Sequence, residues 1–407
     1  MLKKLKLNNF KSFKDVEIEL GNLNVLIGPN AGGKTNLINV FRFLRSLESE
    51  GLNNAISLHG GFYSIRNFKA GVNEPILIEM EFFIENLKNK YKDFEYGYEE
   101  EIPQRIRIEL SGNVCFSLQI NENNENLEKS ISFTFKNSVI KKFNILERQI
   151  ESSWNTDITI YDDLNVKFRP SLPYNQIKPD FLSLQVLKFF GELNNSIFQK
   201  FFTEYIGIYD FEAKLIKETA SFVSSYDLEE DGSNIAFVIE NILSDKAKRK
   251  TLLNLISYVL DFIEGISTER SNFKDFVFLK VKEKFSNDYI PSYLLSDGTI
   301  RIIALIVALY FENKNILIFE EPEINIHPSL LSIVIDLFKE SSNEKQILIT
   351  THNPEFLKYI DLDDIIVISR NKDGFSVIKR LNEIEDIKFF LKNEIGVDEL
   401  FVENLLK

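Results

Sequence analysis

Four short stretches of this 407-residue chain have the residue types and spacing to work on phosphate. Gly28-Pro-Asn30-Ala-Gly32-Gly33-Lys34-Thr35 fits the pattern G-x-x-x-x-G-K-[ST]. In that pattern glycines let backbone N–H groups converge on phosphate oxygens, the lysine reaches the β and γ phosphates, and the hydroxyl can ligate Mg²⁺. The second stretch, Ile316-Leu-Ile-Phe319-Glu320-Glu321-Pro322, closes an apolar run with two acids. Neighbouring residues on a strand point oppositely, so the two acids cannot share one role. One can hold Mg²⁺ through water while the other orients or deprotonates an attacking water. The third, Gln346-Ile-Leu-Ile-Thr350, leads into Thr351-His352-Asn353, whose histidine is suited to contact the γ-phosphate or that water. The fourth, Leu294-Leu-Ser296-Asp297-Gly298-Thr-Ile-Arg301, reads by itself as a helix cap.

Elements of definite kinds must hold these groups. The run LNVLI before Gly28 reads as a buried strand, and Leu37, Ile38, Phe41, Leu44 and Leu47 recur at spacings of three and four, the mark of a helix with one apolar face. From about residue 75 to 169 the period becomes two, in ILIEMEF, RIRIEL, VCFSLQI, ISFTF, ITIY and VKF, which predicts an antiparallel sheet. From about 178 to 266 the text turns helical (FLSLQVLKFFGEL, IAFVIENIL, TLLNLISYVLDFI). After Pro291, helix RIIALIVALYF, strand ILIF, helix LLSIVIDLFKE, strand QILIT and a final hairpin alternate, as in a largely parallel sheet. The acids and His352 then stand at strand carboxyl ends, where open α/β sheets bind ligands. The expected division is 1–74, an amino-terminal part of a head carrying the phosphate loop; 75–175, an antiparallel β region; 176–290, a helical insert; and 291–407, the rest of the head.

Composition sets the outer limits. With 44% hydrophobic and 27% charged residues the chain can bury a large core. A single cysteine, Cys115, excludes an internal disulfide, and three histidines cannot build a Cys/His-rich zinc site. The amino terminus has no apolar signal core, and the longest apolar run, Ile302 to Phe311, is about half a membrane span. These features suit the cytoplasm, with no membrane partner. A formal charge of −13 weighs against a surface broadly attracted to nucleic acid. Lys246, Lys248, Arg249 and Lys250 form the one dense basic cluster, either a solvated helix face or a phosphate contact.

The order phosphate loop, Ser-Asp-Gly, strand with Glu-Glu-Pro-Glu, then Thr-Thr-His-Asn-Pro resembles the ABC-type ATPase heads of the RecF, SMC and OLD group. It is most similar to the stand-alone AAA15/AAA21 ATPases of bacterial defence and nuclease-linked operons. NFKSFKD (Asn9 to Asp15), the Asp-Gly-Ser-Asn at 231–234 and EPEINIHP at 321–328 add to the likeness. The resemblance implies an α/β fold: an ABC-type head with a mostly parallel core sheet, an antiparallel β subdomain and an inserted helical lobe. It implies an ATP-sandwich homodimer, open to higher oligomers, that hydrolyses ATP with Mg²⁺. Gly28, Asn30, Gly32, Gly33, Lys34, Thr35 and Asn36 would bind nucleotide in cis, and Ser296 and Gly298 would reach the γ-phosphate in trans. Thr35 and Glu320 would serve the metal, with Glu321 as base, His352 as switch histidine and Lys34 as the catalytic lysine.

Such a head would control a separately encoded effector, a nuclease or toxin of an anti-phage defence system, since the stretch after His352 is too short for a TOPRIM nuclease. A RecF-like DNA clamp in repair is the alternative, which keeps nucleic acid open as a partner. Two departures from the family pattern stand out. The Walker B acid is Glu320 rather than Asp, and no glutamine occurs between Lys34 and Gln104. His59 lies where that missing ligand would be sought, against an ordinary loop histidine. Phe10 and Phe13 are weighed as adenine contacts against core residues.

Overall fold

The computed structural model describes residues 1–71, 74–87, 110–123, 126–135, 140–150, 153–162, 201–218, 220–221, 227–271, 276–384 and 397–402. From the amino terminus, β1 (Leu2–Phe10), β2 (Phe13–Glu19) and β3 (Leu23–Ile27) precede α1 (Lys34–Glu50), α2 (Leu52–Leu58) and α3 (Phe62–Ile65). Five strands follow: β4 (Ile76–Leu87), β5 (Leu110–Asn123), β6 (Asn126–Phe135), β7 (Ile140–Ile150) and β8 (Ser153–Asp162). Next come α4 (Phe201–Tyr205), β9 (Ile206–Tyr209), α5 (Ala213–Lys217), β10 (Ala220–Ser221), α6 (Ile235–Ser244), α7 (Lys246–Val259), β11 (Ile263–Arg270), β12 (Phe276–Glu283) and β13 (Ile290–Pro291). The carboxyl-terminal part holds α8 (Asp297–Tyr310), β14 (Ile316–Glu320), α9 (Pro328–Ser341), β15 (Gln346–Thr350), α10 (Pro354–Leu357), β16 (Ile365–Arg370), β17 (Ser376–Arg380) and α11 (Val397–Val402).

The chain forms two units. The first is built on a seven-stranded sheet in the order β2-β1-β4-β5-β6-β7-β8, antiparallel from β4 to β8. Alternation explains it. Leu5 and Leu7 of β1 lie opposite Met80 and Ile78 of β4, which in turn face Phe116 and Leu118 of β5. Leu5, Leu7, Ile78, Met80 and Leu118 are all buried, so a face of period two is covered. β1 and most of β2, expected with the phosphate loop, lie in this unit, because the β1–β4 pairing ties them to the antiparallel sheet.

The second unit carries a six-stranded sheet, β17-β16-β3-β15-β14-β9, parallel from β16 to β9 with β17 antiparallel at one edge. β3 and β15 are buried along their whole length, as parallel strands covered on both faces must be. Leu23, Val25, Leu317, Phe319, Ile347, Ile349, Ile365 and Val367 share one core with α6, α7, α8 and α9, while Leu26, Ile318, Leu348 and Ile366 are buried on the other face. Phe319 packs between Tyr209, tilted over its face, and Phe338, edge-on, with ring centroids 5.2 and 5.1 Å away, and fixes the strand that ends in the acid pair.

The stretch 176–290 holds the expected α6 and α7 and, in addition, strands. β9, a fully buried IGIY, joins the core sheet beside β14. β10, β11, β12 and β13 make a small separate sheet. The period of two in FVFLKVKE, with Val277, Leu279 and Val281 buried, was the signal for β12. The predicted segments FLSLQVLKFFGEL and VKF, and RIRIEL before Leu110, lie outside the described residues.

Candidate nucleotide site

Three parallel strands bring the candidate residues to one edge of the sheet. In their register Glu320 pairs with Thr350, and Thr350 with Leu26. The residues just past that row are therefore the phosphate loop, Glu321 and Thr351-His352.

The loop is shaped by glycine. Gly28 and Gly33 have φ of 144° and 126°, and a Cβ at Gly28 would run into the Ile368 carbonyl oxygen, so neither position suits another residue. Lys34 is buried and donates from Nζ to the carbonyl oxygens of Gly28 (2.7 Å) and Pro29 (3.1 Å). Burial lowers its ammonium to about 8, with the charge of Glu321 opposing. α1 then starts at Gly33 with no side-chain cap, although it is 17 residues long. Asn30 and Thr35 are exposed. Asn36 donates to Ser12 Oγ (2.8 Å), which lies 2.8 Å from Ser376 Oγ, and Ser376 also donates to the Gly32 carbonyl. Arg370 Nε donates to the Ala31 carbonyl (2.9 Å). β17 and the end of β16 thus brace the loop from far along the chain.

At the second strand, Glu320 is ion-paired with Arg42 of α1 at 2.5 Å. Arg42 also pairs with Glu230 at 2.5 Å, and Arg45 pairs with the same carboxylate. The 227–234 loop holds Glu230 there through its own bonds: Asn234 accepts from Glu229 N (2.9 Å) and donates to Asp227 O (2.8 Å), and Gly232 turns with φ 78°. Burial raises the Glu320 carboxyl, and Arg42 only partly offsets it. Glu321, at φ 43°, occupies the left-handed region that costs a non-glycine residue about 1–3 kcal/mol. Its N–H bonds Thr350 O at 2.9 Å. His352 Nε2 stands 3.6 Å from Glu321 Oε1, and burial followed by the charge of Lys34 lowers the imidazole, favouring its neutral form. Beside it Glu323 is buried, accepts from Thr351 Oγ1, and is pushed up to about 6 by burial.

The remaining sequence candidates sit apart. Ser296 caps α8, accepting from Thr299 N at 3.1 Å, and Gly298 abuts the Asn325 carbonyl, where a Cβ would collide. Ser296 is exposed, and neither residue has a hydrogen bond to the phosphate loop among the described residues. His59 caps the end of α2, lies 3.2 Å from Ser46 Oγ and packs edge-on against Phe43, a structural setting. Phe10 and Phe13 are each fully buried, with no face open to a base. The four basic residues of α7 are exposed, a solvated helix face. Sequence reading missed Arg42, Glu230, Glu323, Ser12 and Ser376. Ser12 and Glu323 lie inside NFKSFKD and EPEINIHP, Glu230 precedes the Asp-Gly-Ser-Asn, and Arg42 and Arg45 stand three apart on the helix that opens with Lys34, but none of these marks names a partner.

A glycine cradle, an uncapped helix start and a buried lysine that donates to two loop carbonyls together fit a polyphosphate. Among the described residues no group of three or more His, Cys, Asp or Glu could hold a metal. A Mg²⁺ held with nucleotide needs one or two protein ligands and otherwise takes phosphate and water; Thr35, exposed at the start of α1, and Glu320, at the end of β14, are the oxygens that would serve it. No helix among the described residues is long and apolar enough to cross a membrane.

The chain is 22% identical over 416 residues to an ATP/GTP phosphatase of Helicobacter pylori (strain ATCC 700392 / 26695), covering 97% of this chain and 99% of that protein. It is 23% identical over 379 residues to Endonuclease GajA of Bacillus cereus (strain VD045), covering 87% of this chain but only 56% of GajA. Among solved structures, an SMC head bound to the C-winged helix domain of ScpA aligns with a TM-score of 0.49 at 15% identity, over 93% of this chain and 97% of that one. Residues 23–358 match the AAA_21 family, described as "AAA domain, putative AbiEii toxin, Type IV TA system"; that span takes in the phosphate loop, both acids and His352, and the chain belongs to this family.

Proposed function

We propose that the chain binds and hydrolyses ATP with Mg²⁺ between two copies of itself, and that the open and closed states of this dimer control a separately encoded effector. The observation that supports this most is the row Leu26–Thr350–Glu320, past which Lys34, Glu321 and His352 act on one another electrostatically. Gly28, Asn30, Gly32, Gly33 and Asn36 shape the cradle, and Lys34 meets the β and γ phosphates with its ammonium. Thr35 and Glu320 hold Mg²⁺, which when bound neutralises charge on the phosphate oxygens. Glu321 takes the proton of the attacking water, and neutral His352 contacts the γ-phosphate. Ser296 and Gly298 serve the second copy's nucleotide; an exposed, serine-capped start to a 14-residue helix supports that role.

We assign the ATPase head to the unit of the six-stranded sheet, which takes in Gly21–Ile65 and Ser183–Lys407, so that β9, α6 and α7 of the stretch 176–290 belong to the head, and the antiparallel β region to the other unit. The likeness to part of Endonuclease GajA supports a nuclease as effector, and we place the pair in the cytoplasm as a defence system.

Phosphate release and light scattering test the reading. Glu321→Gln should keep ATP binding, lose about 10²–10⁴-fold in turnover and accumulate dimer, while Lys34→Ala gains no dimer with ATP. Equal oligomer populations of the Glu321→Gln protein with and without ATP would refute ATP-driven closure.

A further inference from the structure

We propose that Glu323 is a positioning residue: through Thr351 it fixes the Thr351–Asn353 turn and so holds His352 against Glu321. Glu323 and Thr351 are 5% and 1% exposed, so water does not compete for their contact. The Thr351 hydroxyl donates to Glu323 Oε1 and accepts from Asn353 N at 2.9 Å. Thr351 N donates to Leu26 O at 3.1 Å, which anchors the same residue to the strand that feeds the phosphate loop. Through the Thr351 hydroxyl one carboxyl is therefore linked to Asn353, so both neighbours of the histidine are tied to it, and the imidazole ends 3.6 Å from Glu321.

Stability alone does not account for an acid in this place. Among the described residues its Oε2 is buried without a hydrogen-bond partner, and such a group costs free energy that an apolar side chain would avoid. Arg301 and Glu321 act on it electrostatically, with opposite signs. What the acid supplies is direction, since an acceptor at this point forces the Thr351 hydroxyl inward and leaves its lone pair for Asn353 N.

The catalytic consequence rests on the ATPase reading; the positioning of His352 does not. The full chain has three histidines, His59, His327 and His352, so a histidine ¹³Cε1–¹H spectrum holds few signals, and His352→Gln assigns one. Thr351→Val, which keeps the shape and removes the hydroxyl, and Glu323→Ala should both move the His352 signal, with His59 and His327 unmoved and Thr351→Ser restoring it. The same two variants should lose about 10- to 100-fold in kcat, the scale of a misplaced group, with KM for ATP within about twofold. An unmoved His352 signal in Thr351→Val and Glu323→Ala overturns the proposal, whatever the rates do. A signal that moves in a protein with no ATP turnover supports it and sinks the ATPase reading instead.

Discussion

Replacing Arg42 with Met should destabilise the nucleotide-free protein through Glu320. The carboxylate is 12% exposed and its partner 21%, and they meet at 2.5 Å. Methionine keeps the aliphatic stem and removes the charge. Breaking a fully buried pair costs about 3–5 kcal/mol, because the remaining ion is stranded in a poor solvent. Residual water access to both groups, and the bond Arg45 retains to Glu230, bring the expected loss to about 2–3 kcal/mol. At a few degrees per kcal/mol for a unit of this size, Tm should fall by roughly 4–8 °C. The decisive control is the double variant Arg42→Met with Glu320→Gln, which takes away the stranded charge. It should recover to within about 1 kcal/mol of wild type, a coupling typical of residues in direct contact. A single variant within a degree of wild type, or a double variant as unstable as the sum of its parts, would show that Arg42 and Glu320 do not act as a pair.

Two further perturbations probe the same edge of the sheet. Glu323 is lifted to about 6 by burial, so its contribution is fully present below the unfolded value near 4.3 and is lost as pH rises through 6, about 2 kcal/mol in all. Glu323→Gln should therefore gain in Tm relative to wild type between pH 4.5 and 7.5, and a flat difference across that range would contradict the burial argument. Gly28→Ala introduces a Cβ at φ 144° against the Ile368 carbonyl. The backbone strain alone should cost about 1–3 kcal/mol, and an unchanged Tm with full ATP binding would mean that the loop adopts another path.

Much of the core was legible because its signals are local. LNVLI before Gly28, ILIF before Glu320 and QILIT before Thr351 are short apolar runs that parallel strands require, and each is buried where expected. The helix with Leu37, Ile38, Phe41 and Leu44 buried follows from spacing alone. β9 was missed inside a helical stretch because IGIY has four residues and no period to read. The grouping of β1 with β4 was missed because pairing partners as far apart as Leu2 and Phe82 leave no local mark.

By itself the sequence determined the parts that depend on neighbours along the chain: the glycine loop, the helix that opens at Lys34, the strand ends bearing Glu320 and Glu321, and the turn bearing His352. The tertiary structure alone decided what each of those groups touches. Ser376 reaches Ser12 across 364 residues, Arg42 meets Glu320, and Glu323 takes the hydroxyl of Thr351. Periodicity and backbone preference act over a few residues, whereas ion pairs and buried hydrogen bonds form between whatever the folded sheet brings within about 3 Å, and no pattern along the chain encodes that distance.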